Sequence, residues 1–204
     1  MSNENATTVL LCGVGGQGTI LAADLLAHVA LEAGTSVKVS EIHGMAQRGG
    51  AVTTVVRFGD EVSSMVCDPG TADCVVSFET TEALRNLSFL AKDGYLLVAD
   101  EAIKPLPVAT GRASMPALAR ETLADRGATL IPAGELAREA GSAKSVNVVL
   151  LGALSTRLPF AVGAWERVLA DRVPPKTVEA NLAAFRAGRA FALPADGAEG
   201  VREA

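Results

Sequence analysis

An apolar strand that runs straight into a glycine-rich loop and then into a helix is the feature that most constrains this chain. The run Val9-Leu10-Leu11-Cys12 predicts a buried strand, and the loop Gly13-Val14-Gly15-Gly16-Gln17-Gly18 (the glycine loop) ends it. Apolar residues then recur at helical spacing from Ile20, and Gly34 ends the helix. A strand, a tight glycine turn and a helix in this order are typical of the first half of a β-α-β unit.

The segment after this helix completes the unit. Residues 36–41 alternate between apolar and polar side chains, and we expect Val37 and Val39 to face inward. Two strands joined by a helix usually pair in parallel through a right-handed crossover. We therefore expect the strand at 36–41 to lie beside the strand at 9–12.

The whole pattern predicts an α/β fold, a three-layer sandwich around a mostly parallel but mixed sheet, with a Rossmann-like start and a helical C-terminal third. The sheet should be mixed because segments 52–58 and 62–66 flank the turn Gly59-Asp60 and predict a hairpin. Further strands are expected at 73–78, 94–99 and 128–132, and helices at 79–90, 116–126, 134–140, 145–158, 164–172 and 176–190.

The chain has 204 residues, which suits one α/β domain. We expect that domain to cover residues 1–194, with its helical C-terminal part beginning at about residue 143. Residues 195–204 are mainly small and charged, and we expect them to form a disordered tail.

Charge and hydropathy limit the classes of partner and the cellular location that we expect for this chain. The formal net charge is −5 and no run of Lys and Arg is present, which argues against a nucleic-acid or anionic-membrane partner. Residues 1–8 are polar and lack the basic and apolar regions of a secretory signal. The longest apolar stretch, 146–154, is too short to span a bilayer. These features favour a cytoplasmic protein.

The three cysteines, Cys12, Cys67 and Cys74, lie in or beside apolar runs and form no C-x-x-C pair. Iron–sulfur clusters are usually held by four thiolates, and structural zinc by sets of Cys and His. We therefore expect buried free thiols and no metal site in this chain.

The glycine loop could bind a dinucleotide. Gly13, Gly15 and Gly18 fit the G-x-G-x-x-G pattern, and Glu41 ends the second strand about where a ribose-binding acid would lie. Free N–H groups at the start of the helix would favour an anion. The pair Gly16-Gln17 departs from a plain dinucleotide loop, in which these positions are variable. Binding of NAD or FAD is one hypothesis, and close strand–helix packing without any ligand is the other.

Residues 41–50 (the second loop) are the most unusual stretch, because they combine an acid, an imidazole, an amide and a guanidinium among glycines. His43 could transfer a proton near neutral pH, and Arg48 could bind a carboxylate or phosphate through two hydrogen bonds. The alternative is structural: Arg48 would pair with Glu41 or another acid, and His43 would cap the loop. Together with Gln47, His43 and Arg48 are the catalytic candidates.

The glycine loop and the segment Ser40-Glu41-Ile42-His43-Gly44-Met45-Ala46-Gln47-Arg48-Gly49-Gly50 together resemble the gamma-type domain of 2-oxoacid:ferredoxin oxidoreductases, and in particular the beta subunit of the indolepyruvate enzymes. Residues 51–58, 72–73 and 79–90 are also similar to that family, so the resemblance covers 9–100. The His43-Gly44 pair points to the indolepyruvate type.

This resemblance implies a division of labour. In the family, thiamine diphosphate supports oxidative decarboxylation of a 2-oxoacid to an acyl-CoA, and iron–sulfur clusters pass the electrons to ferredoxin. For the indolepyruvate enzymes, thiamine diphosphate, Mg and the clusters belong to the large alpha subunit. This sequence agrees, since it has no Gly-Asp-Gly followed by Asn at thiamine–magnesium spacing. The chain would complete the complex, act on arylpyruvates only as part of it, and form homodimers when isolated.

Two other functions stay open from the residues alone. One is a free-standing NAD(P)- or FAD-dependent dehydrogenase that uses the glycine loop and Glu41, and the other is a nucleotide- or anion-binding module without catalysis. The apolar helix around 146–154 is likewise open to two interpretations, burial in an interface with a partner or ordinary burial within this domain.

Overall fold

The computed structural model describes residues 6–43 and 50–193, apart from the side chains of His43, Leu106 and Pro107. Its strands are β1 Ala6–Val14, β2 Ser36–His43, β3 Ala51–Gly59, β4 Ala72–Ser77, β5 Leu90–Ala99 and β6 Thr129–Ile131. Within the described ranges these strands form one six-stranded sheet in the order β2-β3-β1-β4-β5-β6.

The sheet is mixed and mostly parallel, as predicted. β1, β4, β5 and β6 pair in parallel, whereas β3 runs antiparallel to both of its neighbours, β1 and β2. The expected direct pairing of β1 with β2 is wrong, because β3 lies between them. A short connection joins β2 to β3, so these two strands form an antiparallel hairpin, and β3 takes the place beside β1.

The hairpin predicted across Gly59-Asp60 is also wrong. Residues 61–68 form no strand, and β3 already has a neighbour on each side. The guanidinium of Arg57 holds this segment instead, since its Nη1 donates to the carbonyls of Ser64 and Val66, each at 3.1 Å. The real hairpin lies one strand earlier, between β2 and β3.

The edge position of β2 accounts for a second correction. Val37 packs against the core, as expected, but the side chain of Val39 is 44% exposed. An edge strand has a neighbouring strand on one side only. Its side chains are therefore less shielded from solvent than those inside the sheet, even on the face that points toward the core.

Helices cover both faces of the sheet. One face carries a short helical layer, and the other carries a deeper layer that contains the C-terminal third. The helices are α1 Thr19–Glu32, α2 Thr80–Asn86, α3 Leu106–Ala109, α4 Ala119–Asp125, α5 Ala133–Glu139, α6 Val146–Leu154, α7 Val162–Arg172 and α8 Val178–Ala192. The predicted three-layer α/β sandwich with a helical C-terminal third is confirmed.

Helix α6 is buried by the chain itself. All residues from 147 to 154 are buried, among α1, α5, α8 and β5. The crossing with α8 is close, because a Cβ added at Gly152 would overlap the carbonyl oxygen of Phe185, and one at Gly188 would overlap that of Val149. Burial within this domain therefore explains the apolar helix, and its placement in a partner interface is wrong.

The thinner face carries α2 and α4 over the core of β1, β4 and β5. Glu79 caps α2, since its carboxylate accepts hydrogen bonds from the N–H groups of Thr81 and Glu82. The helix is shorter than predicted, because the chain makes a 3-10 turn at Leu87–Phe89 and then enters β5. Among residues 6–43 and 50–193, no helix is long and apolar enough to cross a membrane.

Candidate functional site

The structure brings the glycine loop and the end of the second loop together. The register of β1 and β3 places Val14 opposite Ala51. Immediately beyond this pair, the N–H of Gly15 donates to the carbonyl of Gly50 at 2.9 Å. The two segments that stand out in the sequence therefore meet at the carboxyl end of β1, the edge at which open α/β sheets commonly bind ligands.

The side chain of Gln17 closes the glycine loop from within. Its Oε1 accepts a hydrogen bond from the Val14 N–H at 2.7 Å, and its Nε2 donates to the Phe78 carbonyl at 3.0 Å. One amide thus ties the end of β1 to the residue that follows β4. A side chain added at Gly13 would disturb this arrangement, because its Cβ would lie 2.7 Å from Gln17 Oε1. Gln17 is a structural part of the loop.

The start of α1 is shaped by two glycines with positive φ. Gly16 has φ 104° and Gly18 has φ 84°, a region that L side chains rarely adopt. Gly18 is the N-cap of α1, and its carbonyl accepts a hydrogen bond from Asn147 Nδ2 at 3.3 Å. Asn147 is buried at the start of α6, so the deep helical layer fixes the glycine loop from the other side.

Glu41 lies away from the glycine loop. It is exposed on the edge strand β2 and pairs in register with Thr54 of β3. Because β3 separates β2 from β1, Glu41 is two strand spacings, about 10 Å, from the strand that feeds the glycine loop. The adjacent-strand geometry in which an acid binds a dinucleotide ribose is therefore not formed.

Of the catalytic candidates, His43 ends β2, and its backbone pairs with Val52. Gln47 and Arg48 lie outside the described residues, as does the predicted tail 195–204. The roles of these three residues stay predictions.

Two buried carboxylates beside the site were missed in the sequence. Glu79 and Glu82 follow β4, next to the carbonyl that Gln17 binds, and they are 2% and 4% exposed. Burial raises the pKa of the Glu82 carboxyl, while the ion pair with Arg85 Nη1 at 2.9 Å opposes that shift. The sequence signal was an acid directly after a strand with a second acid three residues later, a pattern typical of a capped helix start.

The cysteines cannot act together as ligands of one metal cluster. Cys12 and Cys74 are buried on opposite faces of the sheet, and Cys67 is partly buried. Burial raises the pKa of both Cys12 and Cys74 to about 12, so these thiols stay protonated at neutral pH. Within the described ranges, no group of three or more His, Cys, Asp or Glu residues could hold a metal ion.

At this edge of the sheet, the described side-chain amides contact the backbone, and the first turn of α1 presents N–H groups. The two described amides that contact the glycine loop, Gln17 and Asn147, are both engaged with backbone atoms. The first N–H groups of α1 have no intrahelical partner and point toward the same edge of the sheet.

Residues 8–191 match the family described as pyruvate ferredoxin/flavodoxin oxidoreductase. The chain belongs to this family. Two relatives are named indolepyruvate oxidoreductase subunit IorB, from Thermococcus kodakarensis and Pyrococcus horikoshii, and each is 41% identical over 187 residues, which cover 88% of this chain and 93% of the relative. The resemblance drawn from the two loops is confirmed, and the chain is a small subunit of a 2-oxoacid:ferredoxin oxidoreductase complex.

Solved structures of the family share the fold. A keto/oxoacid ferredoxin oxidoreductase gamma subunit from Geobacter sulfurreducens has a TM-score of 0.68 at 24% sequence identity. The match covers 91% of this chain and 98% of that subunit. Pyruvate oxidoreductase subunit PORC from Thermotoga maritima has a TM-score of 0.67 at 25% sequence identity. The match covers 91% of this chain and 96% of PORC. Both structures therefore share the fold of this chain over most of its length.

Proposed function

We propose that the complex containing this chain oxidises arylpyruvates, with indolepyruvate as the first candidate, to an acyl-CoA and passes the electrons to ferredoxin. The relatives at 41% identity carry the indolepyruvate name. A 2-oxoglutarate synthase subunit KorC from Methanothermobacter thermautotrophicus is 32% identical. The difference favours an aryl oxoacid over a dicarboxylic one.

In this proposal a larger partner subunit carries thiamine diphosphate, Mg and the iron–sulfur clusters, and ferredoxin meets the complex through that partner. The burial of Cys12 and Cys74 on opposite faces of the sheet supports this division, because one cluster could not bind both thiols. This division also agrees with the candidate site, in which the side-chain amides of Gln17 and Asn147 form hydrogen bonds with backbone atoms. The chain would work in the cytoplasm, be inactive alone, and form homodimers through its partner-facing surface when isolated.

The glycine loop and the second loop would complete the active site of the partner. The hydrogen bond between Gly15 and Gly50 supports this role, because it fixes the end of the second loop against the rigid end of β1. His43, Gln47 and Arg48 lie at or within the second loop and would supply the polar contacts to the reacting complex. Gln17 would position the loop without touching the substrate.

The decisive experiment reconstitutes this chain with the large thiamine-bearing subunit from the same genome. The assay follows viologen or ferredoxin reduction with indolepyruvate, phenylpyruvate and 2-oxoglutarate, with each subunit also tested alone. We expect activity only in the mixture and a preference for the aryl substrates. A preference for 2-oxoglutarate would refute the substrate assignment, and full activity of the large subunit alone would refute the role of this chain.

The dehydrogenase alternative loses its main support in the structure. Its dinucleotide site needed Glu41 beside β1, and β3 occupies that position. Tight binding of NAD(P) or FAD by the isolated chain, measured by calorimetry, would restore this alternative. No described observation favours it over the subunit role.

A further inference from the structure

Asn147 connects the C-terminal helical layer to the glycine loop, although 129 residues separate it from Gly18. The residue is buried at the start of α6, with 3% of its surface exposed. Its Nδ2 donates to the carbonyl of Gly18 at 3.3 Å, and the same carbonyl accepts the N–H of Ala22 at 3.0 Å, the bond that begins α1. Asn147 therefore binds the group from which α1 starts.

The contact between Asn147 and Gly18 is also a close fit of shapes. Gly18 has φ 84°, and a Cβ added there would lie 2.8 Å from Asn147 Nδ2 and 3.2 Å from its Cγ. The amide of Asn147 thus fills the space that a side chain at position 18 would need. Because protein interiors are closely packed, a change in the size or polarity of this amide should displace the turn before α1.

The start of α6 requires only one half of the Asn147 amide. Its Oδ1 accepts the N–H of Val148 at 3.0 Å, so the oxygen serves the first turn of α6. An aspartate could accept the same bond, and acids are favoured in the first turn of a helix. An ionised aspartate could not donate to the Gly18 carbonyl, because a carboxylate only accepts hydrogen bonds. The Nδ2 donor is therefore the part of this side chain that serves the glycine loop.

We propose that Asn147 is a positioning residue for the reaction of the complex, which sets the direction of the glycine loop without touching the substrate. The proposal rests on the proposed function, in which the glycine loop completes the active site of the partner. The N–H of Gly15 binds the carbonyl of Gly50, so a displacement of the glycine loop would also reach the second loop. The helical C-terminal third would then contribute to catalysis as well as to the fold.

The test compares three variants in the complex reconstituted with the large subunit. Asn147→Asp keeps the size of the side chain and the bond to Val148, but it places a second acceptor against the Gly18 carbonyl. Asn147→Ala removes both bonds. Ser145→Ala is the matched control, because the Ser145 hydroxyl donates to Asn181 Oδ1 at 3.0 Å, a buried bond at the same helix start that ends on α8 rather than on the glycine loop.

The decisive measurement is kcat at a saturating concentration of this chain, with indolepyruvate as substrate and viologen as acceptor. Excess subunit compensates for weaker folding or weaker assembly by mass action, so a purely structural defect disappears at saturation. We expect both Asn147 variants to keep a kcat lowered about tenfold or more, because small displacements of positioned groups slow a reaction strongly. Ser145→Ala should reach the kcat of the unmodified chain even if it unfolds at a lower temperature.

The outcomes distinguish failure of this proposal from failure of the proposed function. If the unmodified mixture is active and requires this chain, but either folded Asn147 variant reaches full kcat with excess subunit, Asn147 is only structural and the proposal is overturned. An equal loss of kcat in Ser145→Ala would also overturn it. If Asn147→Asp does not fold, Asn147→Ala decides. An unmodified mixture no more active than the large subunit alone would refute the proposed function, and this proposal with it.

Discussion

At the scale of single residues, two amide side chains hold the glycine loop in place. Gln17 acts from inside the loop and Asn147 from α6, and each binds backbone atoms. Buried backbone groups are costly to leave without partners, so both amides stabilise the turn between β1 and α1. The polar groups of the candidate site thus divide into those that hold the loop and those of the second loop.

Gln17→Ala should lower the free energy of unfolding by about 1–3 kcal/mol, because the Val14 N–H and the Phe78 carbonyl both lose a partner. Urea denaturation followed by circular dichroism measures this loss. Gln47→Ala makes the same chemical change in the second loop and is the matched control, with an unfolding free energy close to that of the unmodified chain. Equal stability of the two variants would contradict the structural role of Gln17.

The second loop gives the complementary prediction. Gln47→Ala and Arg48→Ala should each reduce turnover of the reconstituted complex by about tenfold or more while the subunit stays folded, since contacts to the reacting complex are removed. Steady-state kinetics with the large subunit provide the measurement, and Arg126→Ala, at an exposed residue directly after α4, is the control. Unchanged kinetics in both loop variants would rule out a role of this loop in the active site.

The thiols give a pH-dependent prediction. Burial raises the pKa of Cys12 and Cys74 to about 12, so at pH 8 the folded chain holds both as unreactive thiols. The pKa of Cys67 is also raised by burial, but this residue is only partly buried and should react first with a thiol reagent. In urea all three cysteines should react quickly.

The same two buried thiols should make stability depend on pH. Because the pKa of Cys12 and Cys74 is higher in the folded chain than in the unfolded chain, the free energy of unfolding should fall as pH rises above about 9, where the unfolded thiols ionise.

Sequence patterns located the candidate site but not the roles of its parts. The two loops were recognisable because glycine and polar residues cluster there. The role of Gln17 was not, because its acceptor Phe78 is 61 residues away and only the fold brings them together. Glu79 and Glu82 were missed for a related reason, since a helix cap resembles ordinary surface charge until burial is known.

At the scale of elements, local patterns identified most strands and helices, but not their order. The alternation in β2 was visible and β3 was predicted as a strand, yet no local pattern distinguishes a strand that pairs with β1 from a strand at the edge of the sheet. The same limit applies to α6, whose apolar residues require burial without specifying whether this chain or a partner provides it. The order of strands in the sheet and the elements that bury each helix depend on contacts between residues far apart in the sequence.

The crossing of α6 and α8 can be tested directly. Gly152→Ala or Gly188→Ala should lower the free energy of unfolding by about 1–3 kcal/mol or more, because each Cβ would overlap a carbonyl oxygen of the facing helix. Gly163→Ala in α7 is the matched control, since its Cβ would meet only Arg167 Nη1 at 3.5 Å, and it should be neutral or stabilising by up to about 1 kcal/mol. Thermal unfolding that ranks Gly163→Ala with the other two would contradict the close crossing.

At the scale of the whole molecule, the deep layer belongs to the same core as the sheet. Residues of α1, α6, α7 and α8 share one buried cluster with strands β1, β3 and β4, and an aromatic group of Phe58, Phe160, Trp165 and Phe185 lies within it. The helical C-terminal third is therefore needed to cover one face of the sheet.

Truncation should separate this core from the tail. A fragment ending at residue 143 loses α6, α7 and α8 and exposes the apolar side of α1, so we expect it to aggregate or to show no cooperative unfolding. Removing residues 195–204 should leave the melting temperature unchanged, as predicted for a tail outside the domain. Size-exclusion chromatography and calorimetry check both, and a well-folded 1–143 fragment would refute the shared core.

The reversed strand β3 also constrains the order in which the chain can assemble. β1 and α1 leave the ribosome before β3, yet β1 cannot gain its final neighbour on that side until β3 has been made. β2 and β3 are close in sequence, so they can form a hairpin first and then dock on β1 as a unit. The residues that connect them, 44–50, belong to the second loop, so a segment proposed to serve catalysis in the complex would also join the two strands of the hairpin, two of the six in the sheet.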